Sequence, residues 1–181
     1  MSLIFYDTET TGTETFFDQI LQFAAIRTDA DLKEIDRFEI RCRLLPHVVP
    51  APGAMRVTGV NVSQLTDPSL PSHYEMVRAI RAKLLSWSPA LFIGWNSIEC
   101  DENLVRQALY KTLHNPYLTN RDGNSRSDVM RIVLTRVAHE GALPFELTPN
   151  KLTQATLRKS ARGEEVHRAK DAKDLFRKLG I

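Results

Sequence analysis

The stretch that decides the fold is Leu3-Ile4-Phe5-Tyr6-Asp7-Thr8-Glu9-Thr10-Thr11-Gly12, near the start of the 181-residue chain. Its apolar residues 3–6 predict a buried strand, and two acids follow directly. Because side chains alternate along a strand, Asp7 and Glu9 point to the same side. Two carboxylates held together at the end of a buried strand repel each other and lose hydration, and a bound cation relieves both costs. The stretch therefore predicts a metal site. The small residues at 10–12 would let an anionic substrate approach.

Composition predicts one soluble globular domain, because 43% of the residues are apolar and 25% are charged. No apolar run approaches the roughly 20 residues of a membrane span, and no signal peptide precedes Asp7. We therefore expect no membrane partner and a cytoplasmic location. The two cysteines, Cys42 and Cys100, cannot build a disulfide framework.

Charge is unevenly distributed along the chain. Residues 151–181 carry nine Lys or Arg and four Asp or Glu, a net charge of +5, and the total of +2 leaves −3 for the first 150 residues. A basic stretch beside an acidic site suits a polyanionic substrate that is held by its backbone.

The hydrophobic pattern predicts strands first and then alternating strands and helices. Phe38, Ile40 and Cys42 alternate with polar residues, which is typical of a half-buried strand. The expected strands are 3–6, 20–28, 35–45 and 90–94, the expected helices are 62–65, 72–87, 101–113, 129–138, 152–161 and 168–179, and a loop is expected over 46–59. This order favours an α/β domain with a mixed central sheet flanked by helices.

Further polar clusters follow the later elements. Asp101 begins a helix just after the fourth strand, where α/β proteins place ligands, while Trp95 and Cys100 before it are expected to pack. On a helix His167, Asp171 and Asp174 would share a face. Asp7, Glu9, Asp101 and Asp171 with a histidine could hold two Mg²⁺ or Mn²⁺ ions and a base for a water nucleophile.

Other polar residues have simpler interpretations. We expect Asp128 to be a helix N-terminal acid, and Asn96 either to tie its loop or to contact substrate. His47, His73, His114 and His139 have no acidic partners at telling spacing, and surface or loop positions are expected for them.

Several stretches resemble the DnaQ-like (DEDDh) 3′–5′ exonucleases, which have a ribonuclease-H-like fold. Phe5 to Gly12 looks like the first motif of that superfamily. More narrowly, the chain is similar to the bacterial exonuclease I type at 22–29, 52–59, 94–101 and 123–131. The resemblance extends from about residue 3 to about 135.

This resemblance implies a metal-dependent 3′–5′ exonuclease that hydrolyses terminal phosphodiesters of single-stranded DNA, with a place in DNA repair. Asp7, Glu9 and Asp101 match the metal-binding acids, with two Mg²⁺ or Mn²⁺ ions as cofactors. His167 matches the general base and Asp171 the last acid. Substrate contacts are expected at Thr10, Thr11, Gly12, Met55 and Asn96. The implied partner is the 3′ end of single-stranded DNA, with RNA, a single-strand-binding protein or repair proteins as further candidates.

The third motif, formed by His167 with Asp171 or Asp174, leaves alternatives open. In the family the histidine precedes the last acid by five positions, whereas Asp171 and Asp174 are four and seven positions after His167. Another register places Lys170 at the position of the base. The tail from about residue 143 diverges, and the later domains of exonuclease I are absent after Ile181, so residues 1–181 are expected to form a single exonuclease domain. An RNA-trimming or proofreading enzyme, or a catalytically impaired nucleic-acid-binding domain, are the competing hypotheses.

Overall fold

The computed structural model describes residues 2–141 and 151–162, together with residues 174 and 177. The predicted helix at 168–179, and with it His167 and Asp171, therefore lies almost entirely outside the described residues. Five strands and six helices follow one another in the described part. In chain order they are β1 (Ser2–Thr10), β2 (Ile20–Thr28), β3 (Glu34–Arg41), α1 (Pro52–Thr58), α2 (Val62–Leu65), α3 (His73–Trp87), β4 (Ala90–Gly94), α4 (Asp101–Lys111), β5 (Ser125–Asp128), α5 (Val129–Glu140) and α6 (Lys151–Ala161).

The strands form one mixed sheet in the order β3-β2-β1-β4-β5. The first three strands pair antiparallel as a meander, whereas β1 pairs parallel with β4 and β4 pairs parallel with β5. This arrangement confirms the predicted α/β class with a mixed sheet. It also places the carboxyl ends of β1, β4 and β5 along the same edge.

The core lies between one face of the sheet and helices α3 and α4. Ile4 and Phe23 from the strands are fully buried, as are Met76 on α3 and Leu104 on α4. Apolar residues on these helices recur every three or four positions, which gives each helix one face for the sheet. Helix α4 is thereby fixed against the strands, and its first residue, Asp101, is brought to the edge where β1 ends.

Several segments differ from the sequence prediction. The first strand, expected over 3–6, extends to Thr10, and the strand expected over 35–45 ends at Arg41. The expected loop over 46–59 contains α1, because Pro52 is tolerated in the first turn of a helix and Gly59 ends it in the left-handed region at φ 67°. Strand β5 was not predicted, since Ser-Arg-Ser-Asp has no apolar alternation; the backbone pairing with β4 makes it a strand. In contrast, the helix at 62–65 is confirmed, with Asn61 and Gln64 forming a capping box.

No helix in the described part of the chain is long and apolar enough to cross a membrane.

Candidate active site

Strand β1 carries its two acids past the end of its parallel neighbour. The paired residues of β1 and β4 end at Phe5 and Ile93, whereas β1 remains paired with β2 through Asp7 and Glu9. The two carboxylates therefore extend from the sheet at its carboxyl edge, supported on one side only. Asp7 is exposed and Glu9 is partly buried.

Asp101 is fixed beside β1 by a threonine between the two acids. The Thr8 backbone N–H and its Oγ1 hydroxyl both donate to Asp101 Oδ1, at 3.1 Å and 2.5 Å. The Asp101 residue is only 5% exposed. Thr8 thus joins the first acidic segment to the start of α4, and the sequence motif gives no indication of this role.

The three carboxyl groups oppose one another electrostatically. Burial is the main cause that raises the pKa of Asp101, with a smaller contribution from the charge of Asp7. Burial also raises the pKa of Glu9, again with Asp7 as the next cause. Groups whose ionised forms are penalised in this way gain from a nearby cation.

The donor set suits a hard divalent ion. Carboxylate oxygens are the ligands that Mg²⁺ and Mn²⁺ prefer. Within residues 2–141 and 151–162, however, no three His, Cys, Asp or Glu side chains gather closely enough to hold an ion together. Asp7, Glu9 and Asp101 lie along one edge, with Asp7 acting electrostatically on the other two, and do not form a closed cage.

The small residues after Glu9 have structural roles that the sequence did not reveal. Thr11 is fully buried, and its hydroxyl donates to Asp18 Oδ1 at 2.7 Å and accepts from the Gln19 N–H at 2.9 Å. A Cβ on Gly12 would lie 2.5 Å from Asp18 Oδ2, so this position requires glycine. The side chain of Thr11 is therefore not available to a substrate, in contrast to the expectation from the motif.

A cavity of about 360 Å³ adjoins the acids between the end of β1 and α1. Thr8, Glu9, Thr10 and Gly12 line one side. Helix α1 lines the other with Ala54 and Val57, the latter 87% exposed. Met55 is on α1 but does not line this cavity, so Val57 is better placed for the apolar contact that was expected of Met55.

The loop between β4 and α4 is held by a residue from β5. Asp128 accepts hydrogen bonds from the backbone N–H groups of Asn96 at 3.1 Å and Ile98 at 3.3 Å. Its Oδ1 also accepts from Met130 N–H at 2.9 Å, which caps α5 and confirms the predicted N-terminal position. The backbone of Asn96 thus ties its loop, at a positive φ of 54°.

Two other residues near this loop depart from expectation. Trp95 is 61% exposed at the carboxyl end of β4, so the expectation that it packs in the core is wrong. It is a large apolar side chain exposed directly after β4. Cys100 packs against the core, as expected.

A mixed sheet of this order, with acids along the carboxyl edge of its central strands, has the ribonuclease-H-like fold. Over 134 residues, 73% of this chain, the sequence is 33% identical to exodeoxyribonuclease I of Haemophilus influenzae and 31% identical to that of Buchnera aphidicola from Acyrthosiphon pisum. The metal-free structure of the Escherichia coli exonuclease I–single-stranded DNA complex superposes with a TM-score of 0.68 at 26% identity, over 76% of this chain and 30% of that one. The chain spans about a third of the length of these nucleases.

The C-terminal third has a different relative. The RelB antitoxin family matches residues 118–179. Antitoxin DinJ of Escherichia coli K12 is 57% identical over 60 residues, which make up 33% of this chain and 70% of the antitoxin. The chain therefore belongs to the RelB antitoxin family through its C-terminal third, and through its first three quarters it is related to the DnaQ-like exonucleases of the exodeoxyribonuclease I type.

The antitoxin kinship explains the irregular third motif. His167, Asp171 and Asp174 all fall within residues 118–179, where the sequence follows the antitoxins. Their spacing departs from the nuclease pattern because this segment has another relative. The roles of His167 and Asp171 stay predictions, as does the single-domain organisation of residues 1–181.

Proposed function

We propose that the nuclease-related part of the chain binds the 3′ end of single-stranded DNA and hydrolyses its terminal phosphodiester with divalent metal ions, releasing nucleoside monophosphates. The observation that carries this proposal is the placement of Asp7, Glu9 and Asp101 along the carboxyl edge of the sheet, where burial and the charge of Asp7 disfavour the ionised forms of Glu9 and Asp101. The structural likeness to an exonuclease I–single-stranded DNA complex supports the substrate class.

The chain's own residues would act mainly by positioning. Asp7, Glu9 and Asp101 would hold two Mg²⁺ or Mn²⁺ ions together with Asp171, and such ions supply an activated water and stabilise charge on the phosphate and leaving oxygen. Thr8 keeps Asp101 in place. Thr10 and the α1 residues beside the cavity would border the terminal nucleotide. His167 is the residue predicted to accept the proton of the attacking water; it lies in the antitoxin-related segment, and its role is tested below with His167→Ala.

Metal binding and cleavage are tested separately. Calorimetric titration with Mn²⁺ should show binding that Asp7→Asn and Glu9→Gln each weaken at least about tenfold, since each variant removes a charged ligand. Asp31→Asn is the matched control, because Asp31 is an exposed acid in the turn between β2 and β3. Equal Mn²⁺ affinity in all four proteins would overturn the metal site.

Cleavage is followed with a 5′-labelled single strand in Mg²⁺, in Mn²⁺ and in EDTA, with an RNA strand of the same sequence alongside. We expect stepwise shortening of the DNA from its 3′ end in the presence of the ions. His167→Ala should lower the rate by about 10²–10⁴-fold, the usual scale for loss of a general base. Strand binding without shortening would refute hydrolysis and leave the nucleic-acid-binding alternative.

We propose a second function for residues 118–179, namely binding and neutralising a toxin protein, as the name of the antitoxin relatives implies. The identity of 57% to DinJ favours it. The full chain should restore growth to cells that express the toxin neutralised by DinJ. Leu157→Asp, at a 55% exposed position of α6, should reduce this protection, whereas Asp7→Asn should keep it. Lack of protection by the unaltered chain would refute the antitoxin function.

A further inference from the structure

An aromatic pocket lines α4 and shares no lining residue with the cavity beside the acids. Its volume is about 380 Å³, and Phe16, Arg106, Tyr110 and Tyr117 are among its lining residues. Phe16 is 74% exposed, Tyr110 72% and Tyr117 47%. Single exposed apolar residues are ordinary on a protein surface, but three aromatic rings around one concavity form an apolar patch of the kind that marks a binding site.

The pocket carries positive charge without a compensating acid. The Arg106 guanidinium lies over one face of the Tyr117 ring, 4.8 Å from its centroid, so the cation is held beside the aromatic side chains of the pocket. Asn103 and Gln107 add carboxamides to the lining, and no Asp or Glu is among the lining residues. Within the described residues Arg106 has no carboxylate partner. This combination suits an anionic ligand with flat rings.

The loop that presents Phe16 is anchored. Lys111 Nζ donates to the Phe16 carbonyl oxygen at 2.9 Å, and Gln107 Nε2 donates to the Asp18 carbonyl oxygen at 2.5 Å. The Asp18 carboxylate accepts from Thr11 and from the Glu14 N–H, which ties the same loop to the end of β1. The ring of Phe16 is therefore exposed on a fixed backbone.

The pocket and the acidic site share helix α4, which begins at Asp101. Arg106 and Tyr110 follow Asp101 on α4 by five and nine residues, which is about 8 and 14 Å along the helix at a rise of 1.5 Å per residue. A single strand with its 3′ end at Asp7, Glu9 and Asp101 could thus place a base farther from that end in the pocket.

We propose that this pocket binds an unstacked base of single-stranded nucleic acid, with the aromatic rings stacking on the base and Arg106 attracting the adjacent phosphate. Proteins that hold single strands without sequence preference combine aromatic platforms with cationic grooves in this way. The proposal rests on the proposed function, because it assigns the pocket to the strand whose end occupies the acidic site. It adds a second point of attachment that retains the strand between cleavage events.

The test is the affinity of the full chain for a fluorescent dT12 strand, measured by anisotropy in Ca²⁺ buffer to limit hydrolysis. Phe16→Ala and Tyr117→Ala should each raise the dissociation constant about 5- to 150-fold, the equivalent of a lost base–aromatic stack. Phe17→Ala is the matched control. It is the neighbouring residue, is 78% exposed, and lines a different cavity with His47 and Lys111; its affinity should stay within about twofold of the unaltered chain.

Two further strands identify what the pocket recognises. The effect of Phe16→Ala should disappear with a dinucleotide, which is too short to reach the pocket, and should shrink with a dT12 strand whose 5′ half is abasic but keeps its phosphates. Undiminished dT12 binding by both Phe16→Ala and Tyr117→Ala would overturn the pocket while leaving the proposed function standing. Failure of the unaltered chain to bind dT12 would refute both proposals.

Discussion

Replacement of Asp128 by alanine should destabilise the protein far more than loss of a helix cap alone. Asp128 is 2% exposed, and its carboxylate accepts from four backbone N–H groups. Two of these belong to α5 and two to the loop that leads to Asp101. Loss of an N-cap costs about 0.5–2 kcal/mol. Each buried N–H left without its acceptor costs about 1–3 kcal/mol more.

These contributions, with two loop N–H groups, predict a decrease in the free energy of unfolding of about 2.5–8 kcal/mol for Asp128→Ala, measured by urea denaturation. Ser72→Ala is the matched control for the cap. Ser72 caps α3 in an exposed capping box and holds no loop, so its variant should lose only about 0.5–2 kcal/mol. The difference in unfolding free energy between the two variants measures how much Asp128 stabilises the loop before Asp101.

Asparagine at position 128 separates the two roles of this residue. Asparagine caps helices as well as aspartate does, and its Oδ1 can keep the contacts with Asn96 and Met130. Its amide NH₂ would replace Oδ2 and face the Ile98 N–H, one donor against another. We expect a loss of about 1–3 kcal/mol and faster amide hydrogen exchange at Ile98, with α5 unaffected.

An unfolding free energy of Asp128→Ala within about 0.5 kcal/mol of the unaltered chain would refute this reasoning, since surface substitutions fall in that range. A loss equal to that of Ser72→Ala would show that Asp128 caps α5 but does not hold the loop before Asp101.

Two further predictions concern buried groups away from the acids. His73 is buried at the start of α3, and burial, with a contribution from Lys111, lowers its pKa to about 4. The unfolded chain takes up a proton at this histidine near pH ~6.5, whereas the folded chain does so only near the lowered pKa. The free energy of unfolding is therefore highest above pH ~6.5 and decreases as the pH falls toward 4. His73→Gln should remove about 2 kcal/mol of the decrease in unfolding free energy between pH 7 and pH 5, whereas an unchanged pH dependence would contradict a buried neutral imidazole. Gly12→Ala should lower the unfolding free energy by about 1–3 kcal/mol, since its Cβ would lie 2.5 Å from the Asp18 carboxylate, which Thr11 and Glu14 hold in place. Gly53→Ala, with open space at its Cβ, should be neutral or stabilising by up to about 1 kcal/mol, and equal losses in urea denaturation would contradict the steric argument.

The sequence allowed the meander, β4 and the main helices to be predicted because their apolar periodicity is strong. It singled out Asp7, Glu9 and Asp101 as candidate site residues because acids at the ends of buried strands are unusual. It did not reveal the contacts that position them. Thr8 resembles any motif threonine, yet both its N–H and its hydroxyl hold Asp101. The exposure of Trp95 and the burial of His73 depend on which way the chain turns after β4 and before α3, which local pattern does not determine.

The irregular tail was visible in the sequence only as a departure from the exonuclease I pattern. When residues are compared with the exonuclease I pattern alone, a segment that follows a second family differs from that pattern without any visible reason. Residues 127–138 contain the signal that was missed, since an aspartate cap followed by a strongly apolar helix leaves α5 with no buried residue.

Asp128 shows how two kinships can share one stretch of chain. The matched segments overlap, because the nuclease relationship covers 73% of the chain and the antitoxin match begins at residue 118. In the overlap, β5 pairs with β4 and ends at Asp128, whose extended backbone and capping side chain begin α5. The same carboxylate holds the loop before Asp101. Asp128 therefore has two roles. At the end of β5 it accepts hydrogen bonds from the neighbouring loop, and at the start of α5 it caps the helix. The antitoxin-related segment therefore supplies part of the support for the acidic site, and a partner that displaces α5 would also disturb the loop leading to Asp101.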